Sequence, residues 1–213
     1  MSPASDTLSL IKKAALTIFL EKGVPGLTMR TIAKEVGISA PALYRHYDSH
    51  DGILADILKE GFQTFLAYEM KALAGANAWE RLMLNGSYYL QFAQENPGFY
   101  RLMFMTDLPD IPAVHQAFES DAQATMQFLL DRLYGCMREG FIQEVPPELT
   151  AMNIWSVCHG ATSLYLGGCV PEHAPPLELV YFSSLGTYLQ AIVTDKGKER
   201  LLVHQAEILA RFS

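Results

Sequence analysis

The side chains best equipped to recognise or transform another molecule cluster in two short runs. The first is Tyr44-Arg45-His46-Tyr47, with His50 three residues further on. Hydroxyl, guanidinium and imidazole groups in succession suit phosphate oxygens and base edges. The second is Trp155-Ser-Val-Cys158-His159-Gly160. A cysteine beside a histidine invites a nucleophile–base reading, but neighbours in a helix point about 100° apart, which is poor for proton transfer. A metal site drawn from Cys158, His159, Cys169 and His173 fits no zinc spacing. No Gly-rich phosphate loop and no HExxH occurs. The sequence predicts no enzyme, no metal and no cofactor.

The elements that must position the first run are read from Thr28 to Tyr47. Ile32, Ala33 and Val36 recur at helical spacing. Thr28 stands where an N-cap belongs, its hydroxyl able to accept from a free backbone N–H. Gly37 can take the left-handed conformation that ends a helix, and Ile38 is expected to pack inward. Ser39 is a second N-cap, and Pro41 falls in the first turn of the next helix, where its missing N–H costs nothing. Ala42 to Tyr47 are expected to complete that helix, with Leu43 facing a core. Two helices about a tight Gly turn fit a plain αα-corner or a helix-turn-helix, and the polar outer face from Tyr44 to Tyr47 favours the latter, whose second helix is expected in the DNA major groove. Ala40, Pro41 and Ala42 offer apolar contact to thymine methyls.

The first sixty residues resemble the DNA-binding domain of TetR-type (tetracycline-repressor-like) regulators. The resemblance rests on the helix Ile11–Glu21 ending in EKG, the segment LTMRTIAKEVGIS, and the run Ser39 to Tyr47. It implies that Arg30 reaches a base edge and that Tyr44 and His46 meet phosphate or nearby bases. Tyr47 occupies a position often held by a packing aromatic. With the caps Thr28 and Ser39, and with Ala40, Pro41, Ala42, Arg45 and His50, these residues form the expected DNA-facing set. One departure stands out: the family often begins its fourth helix with a phosphate-holding Lys, and here His50 takes that place. Imidazole is only partly charged near neutral pH, so DNA affinity is expected to strengthen on acidification, through His50 and His46.

The chain has 213 residues, half of them hydrophobic, enough for a small DNA-binding head and a larger helical domain. The boundary is expected at 52/53, giving a head over 1–52 and a ligand-binding and dimerisation domain over 53–213. No alternating strand pattern or hairpin signal appears, so the fold class is all-α. The net charge of -7 does not advertise nucleic-acid binding. It is unevenly placed, however: residues 1–62 carry seven Lys/Arg against seven Asp/Glu, and the excess acid lies beyond them. A neutral head implies modest salt-driven affinity. Three cysteines read as free thiols of a reducing compartment. No signal pattern or membrane-spanning stretch is seen, so a cytoplasmic location is expected.

In the head, Leu8, Ile11, Ala14, Ala15, Ile18 and Phe19 form one helical stripe. A long fourth helix, about 49–73, is followed by segments near 79–94, 99–105, 113–140, 147–167, 175–195 and 198–212. Trp155 and His159, four apart, share a helix face, and Gly160 would let another backbone come close. This run also resembles the Trp…His-Gly signature of one class of TetR-type C-terminal domains. The stripe Leu177, Val180, Tyr181, Ser184, Leu185, Tyr188, Leu189 and Ile192, with Ala151, Ile154, Trp155, Cys158 and Ala161, suits a four-helix homodimer interface through the helices near 150–167 and 177–195. A small-molecule effector is implied, in an apolar pocket drawn from Met83, Tyr89, Tyr100, Phe104, Met126, Trp155, His159 and Tyr165. The expected function is a ligand-responsive repressor that binds a pseudo-palindromic double-stranded operator as a dimer. The alternative is a helical adaptor that no longer binds DNA.

Overall fold

The computed structural model describes residues 3–211, without the side chains of 3–5, 113, 117, 118 and 120. Two residues expected on apolar helix faces, Phe118 and Phe212, lie outside the described residues. Among the described residues the chain is all-α. Its ten helices are α1 (Pro3–Lys22), α2 (Met29–Val36), α3 (Ala40–Tyr44), α4 (His50–Met70), α5 (Ala78–Glu95), α6 (Pro97–Phe104), α7 (Pro112–Arg138), α8 (Pro147–Leu166), α9 (Leu177–Gln190) and α10 (Asp195–Ala210). Single 3-10 turns follow α1 and α4.

The chain divides into two compact units. The first runs through Thr64 and then takes back Asn96–Gln123; the second holds Phe65–Glu95 and the chain from Ala124 onward. The expected head, 1–52, lies inside the first unit, which adds the opening of α4 and all of α6. The sequence reading had no means to see this, because contact between segments far apart in the chain leaves no periodic signal.

In the first unit the α1 stripe does what its spacing predicts: Ile11, Ala14, Ala15, Ile18 and Phe19 are buried. They share a core with Leu27, Ile32, Ala33, Leu43, Ile53 and Leu54. Helix α6 packs on α1, closely enough that a Cβ on Gly98 would stand 3.1 Å from Leu20 Cδ1. It also meets α4, where a Cβ on Gly61 would stand 2.8 Å from Met103 Sδ.

In the second unit the helical segments near 175–195 and 198–212 are shifted by a short non-helical pairing. Ile142 and Val193 form an isolated antiparallel bridge. Gln143 N–H donates to Ile192 O at 2.9 Å, and Thr194 N–H to Phe141 O at 3.1 Å. Ile192 and Val193 therefore leave the helix they were expected to extend, and α9 ends at Gln190. Thr194 caps α10 by accepting from Gly197 N–H at 3.2 Å. Gly197 must be glycine at this crossing, since a Cβ would stand 2.1 Å from Phe141 O.

Candidate nucleic-acid interface

Local sequence fixes the backbone around α2 and α3. Thr28 Oγ1 accepts from Thr31 N–H at 3.1 Å, while Thr31 Oγ1 accepts from Thr28 N–H at 3.0 Å. Two of the orphan donors at the start of α2 are thereby satisfied reciprocally. At the other end Gly37 sits at φ 77°. Its N–H donates to Lys34 O at 3.2 Å and that of Ile38 to Ala33 O at 3.0 Å. This pair of bonds is the Schellman arrangement, and the left-handed residue it needs is cheapest as glycine. Ser39 Oγ accepts from Ala42 N–H at 3.3 Å, and Pro41 lies in the first turn of α3, as expected.

Helix α3 is shorter than the sequence suggests. It covers Ala40–Tyr44, and Arg45 is its C-cap. His46 and Tyr47 N–H groups both turn back to Leu43 O, at 2.9 and 3.1 Å. Arg45 to Tyr47 thus follow the helix as a turn rather than extending it. Leu43, fully buried, anchors α3 to the core. Around that anchor Arg30, Ser39, Pro41, Tyr44 and Arg45 are exposed, while Ala40, Ala42 and His46 are part-exposed. Tyr44 leaves half of its surface open, an unusual disposition for so large an aromatic unless it meets a partner.

Tyr47 is engaged inside the unit. Its hydroxyl donates to Asp56 Oδ2 at 2.7 Å, and burial, then that bond, push its ionisation well above the usual phenol range. Its contact braces the α3–α4 turn. His50 opens α4 and is part-exposed, with Nε2 3.2 Å from Asp51 Oδ1. The Asp51 carboxylate thus stands beside the imidazole that was expected to meet a phosphate.

The eight effector candidates do not fall into one unit. Tyr100 and Phe104 belong to the first, where their rings pack edge-to-face 5.2 Å apart, with Phe104 6.0 Å from Phe62. The other six are in the second. There Tyr89 is buried between Phe65 and Tyr181, at 5.6 and 6.4 Å. Met126 is part-exposed, and the Tyr165 hydroxyl donates to Pro175 O. Trp155 and His159 do share a face, their rings 5.6 Å apart. Burial holds the His159 imidazole below its ordinary range. Cys158 is buried and its thiol is pushed up to about 12 by that burial, which keeps it protonated and unfit as a nucleophile.

No other described group of the chain comes within 4 Å of where a Cβ on Gly160 would stand, so no backbone of this chain uses the space there. One expectation about these helices changes. Ala151, Ile154, Cys158, Ala161, Tyr181, Leu185 and Leu189 are covered within the chain itself and are not available to a second copy.

The sequence reading missed one polar cluster. Glu69, on α4, is 3 % exposed. Its Oε1 accepts from Asn85 Nδ2 at 3.2 Å, and its Oε2 is buried without a hydrogen bond. Burial pushes this carboxyl up to about 8, against the opposing pull of Asn85 and the Arg132 charge. Arg132 lies over the Phe128 ring at 4.2 Å, with Nη1 buried and without a hydrogen bond. The available signal was an acid four residues after Phe65 and seven after Phe62, on the apolar stripe of α4.

Two family models match the chain. Residues 11–57 match the bacterial regulatory proteins of the tetR family, and residues 82–183 match the tetracyclin repressor-like C-terminal domain. The chain belongs to the tetR family of bacterial regulatory proteins. The first match takes in α2, α3 and the opening of α4, and makes this chain a DNA-binding transcriptional regulator. The second takes in the Trp155…His159-Gly160 run. The HTH-type transcriptional regulator YobS of Bacillus subtilis, itself uncharacterised, is 24% identical over 190 residues, covering 89% of the regulator and 94% of that protein. Two solved structures share its fold. A TetR transcription regulator from Haloarcula marismortui has a TM-score of 0.73 at 23% identity, covering 89% of this chain and all of that one. PfmR from Thermus thermophilus has a TM-score of 0.69 at 22% identity, covering 84% and 97%.

Proposed function

We propose that the regulator is a dimeric repressor that grips a pseudo-palindromic operator with α2 and α3 and is released by a small, largely apolar effector. The observation that carries the reading is the set of exposed polar groups around a short α3, capped at its start by Ser39, whose Leu43 is buried in the core. Arg30 is the base-reading residue, Tyr44 and His46 hold phosphate or adjacent bases, and Thr28, Ser39, Arg45 and His50 set the register on the backbone. Ala40, Pro41 and Ala42 meet thymine methyls. Tyr47 positions the turn.

Support for a dimer comes from the outer face of α8. Leu149, Met152 and Leu164 are 61%, 44% and 51% exposed. Ser156, Gly160 and Ser163 lie between them on the same face, at 100° per residue. Small residues flanked by exposed apolar ones let a second helix approach closely, and the bare surface at Gly160 fits that use. On α9 the neighbouring part-exposed residues are Leu177, Val180, Ser184 and Tyr188. A two-fold pair would set two α3 helices about one DNA turn apart, roughly 34–36 Å. The effector would be mainly apolar with one polar group, for which Glu69 and Asn85 offer a buried, neutral contact.

The test is selection of bound sequences from a random duplex pool at a stated salt concentration. One enriched palindrome is expected, with Arg30→Ala losing about 1–3 kcal/mol at a single base position and Tyr44→Phe losing affinity without changing the preference. Folded, dimeric protein that enriches nothing would turn the reading towards the adaptor.

A further inference from the structure

The second unit contains a cavity of about 190 Å³ between α9 and α10, closed on one side by Met83 of α5. Its walls are apolar, from Leu179 and Phe182 on α9 and from Leu201 and Ile208 on α10. Three polar side chains interrupt them: Ser183 at the open edge, Gln205 beside Gly186, and His204. His204 lines the cavity, its ring 5.7 Å from that of Phe182 and edge-on to it, and its Nε2 is buried with no hydrogen-bond partner. A buried polar atom without a partner is costly, and a cavity this size is larger than the roughly 150 Å³ apolar cavity known to take up benzene.

We propose that this cavity is a binding site for a neutral one-ring phenol, whose hydroxyl pairs with His204 Nε2 and whose ring fills the apolar space.

Size limits the occupant to one ring with small substituents. Charge limits it further. Burial holds the His204 imidazole below its ordinary range, with Glu207 and Arg211 acting on it in opposite directions, so it is neutral at neutral pH. A neutral imidazole offers no counter-charge, and neither do Ser183 and Gln205, so an ionised carboxylate among these walls would find no cation. A phenolic hydroxyl suits the site in either tautomer, because it can donate to a bare nitrogen or accept from an N–H. At 100° per residue, Leu179, Phe182 and Gly186 lie on the opposite side of α9 from Leu177, Ser184 and Tyr188. The site therefore stays open whether or not α9 joins a dimer, and it shares only Met83 with the effector residues named above. It does not depend on the operator reading.

The experiment titrates the full-length protein with phenol, toluene and benzoate, followed by calorimetry and by methyl NMR of leucine and isoleucine. Phenol is expected to bind in the sub-millimolar to millimolar range and to shift the Leu179, Leu201 and Ile208 methyls. Toluene should bind about tenfold more weakly and benzoate not at all. His204→Leu should bring phenol down to the level of toluene, and Ser183→Phe, at the exposed edge of the cavity, should remove both. Thermal unfolding of each variant establishes that it is folded. Phenol that leaves those methyls unmoved, or that binds folded His204→Leu as tightly as the parent protein, would overturn the assignment.

Discussion

Glu69 shows how one buried group ties stability to pH. Its carboxyl has an ordinary value of 4.5 and is pushed up to about 8 in the folded chain. Between those values the unfolded chain has lost the proton that the folded chain still holds. Folding stability therefore falls as pH rises from about 4.5 to about 8, by an amount on the order of a few kcal/mol. Glu69→Gln keeps an acceptor for Asn85 and has no proton to lose. Urea unfolding at pH 5 and pH 8 should show the parent losing stability across this span and the variant nearly flat; parallel losses would mean that Glu69 is not the source. Such a residue is half-legible in sequence. The helical stripe places it inward, but whether an acid on that stripe is covered or turned to water depends on what packs over it.

At the scale of elements, the α2–α3 unit was the most legible part. Caps and turns are local chemistry: Thr28, Gly37, Ser39 and Pro41 act on backbone groups within a few residues, so sequence alone specifies them. Thr28→Ala removes one half of a reciprocal cap and should cost about 0.5–2 kcal/mol in chemical denaturation. An unchanged midpoint would mean that water serves the Thr31 N–H as well as Thr28 does. The α8–α9 pair was less legible, for a physical reason. Helical spacing says that a residue lies on an apolar face, but not whether that face is turned to its own chain or to another. Ala151, Ile154 and Cys158 face inward, leaving Leu149, Met152 and Leu164 as the outward set. Leu164→Glu should therefore weaken self-association at least tenfold while leaving the helical signal intact, as read by sedimentation across a concentration series. A variant that self-associates like the parent would take α8 out of the interface. The early end of α9 was not legible at all, since it comes from pairing with residues some fifty positions earlier.

For the molecule as a whole, the balance of charge sets how it meets DNA. Seven basic against seven acidic residues over 1–62 leave the protein little non-specific attraction, so discrimination must come from a few directed contacts. His50→Lys should tighten binding to every sequence alike and add about one to the slope of log affinity against log salt for each head that gains a phosphate contact. If the slope stays put, position 50 does not reach the backbone. The fold class, the order of helices and the character of the head could all be read from the chain before any coordinates. The partition of the chain could not. Leu16 and Leu20 of α1 lie against Gly98 of α6, a pairing across more than seventy residues. The consequence is practical. The reading head is not a tag that can be snipped off after its last recognisable motif and sewn onto another protein. A fragment cut there would leave a bare apolar flank where α6 had lain, and would be prone to clump or to lose its shape. A transplant that works must carry two pieces of chain, and the graft needs more than one seam.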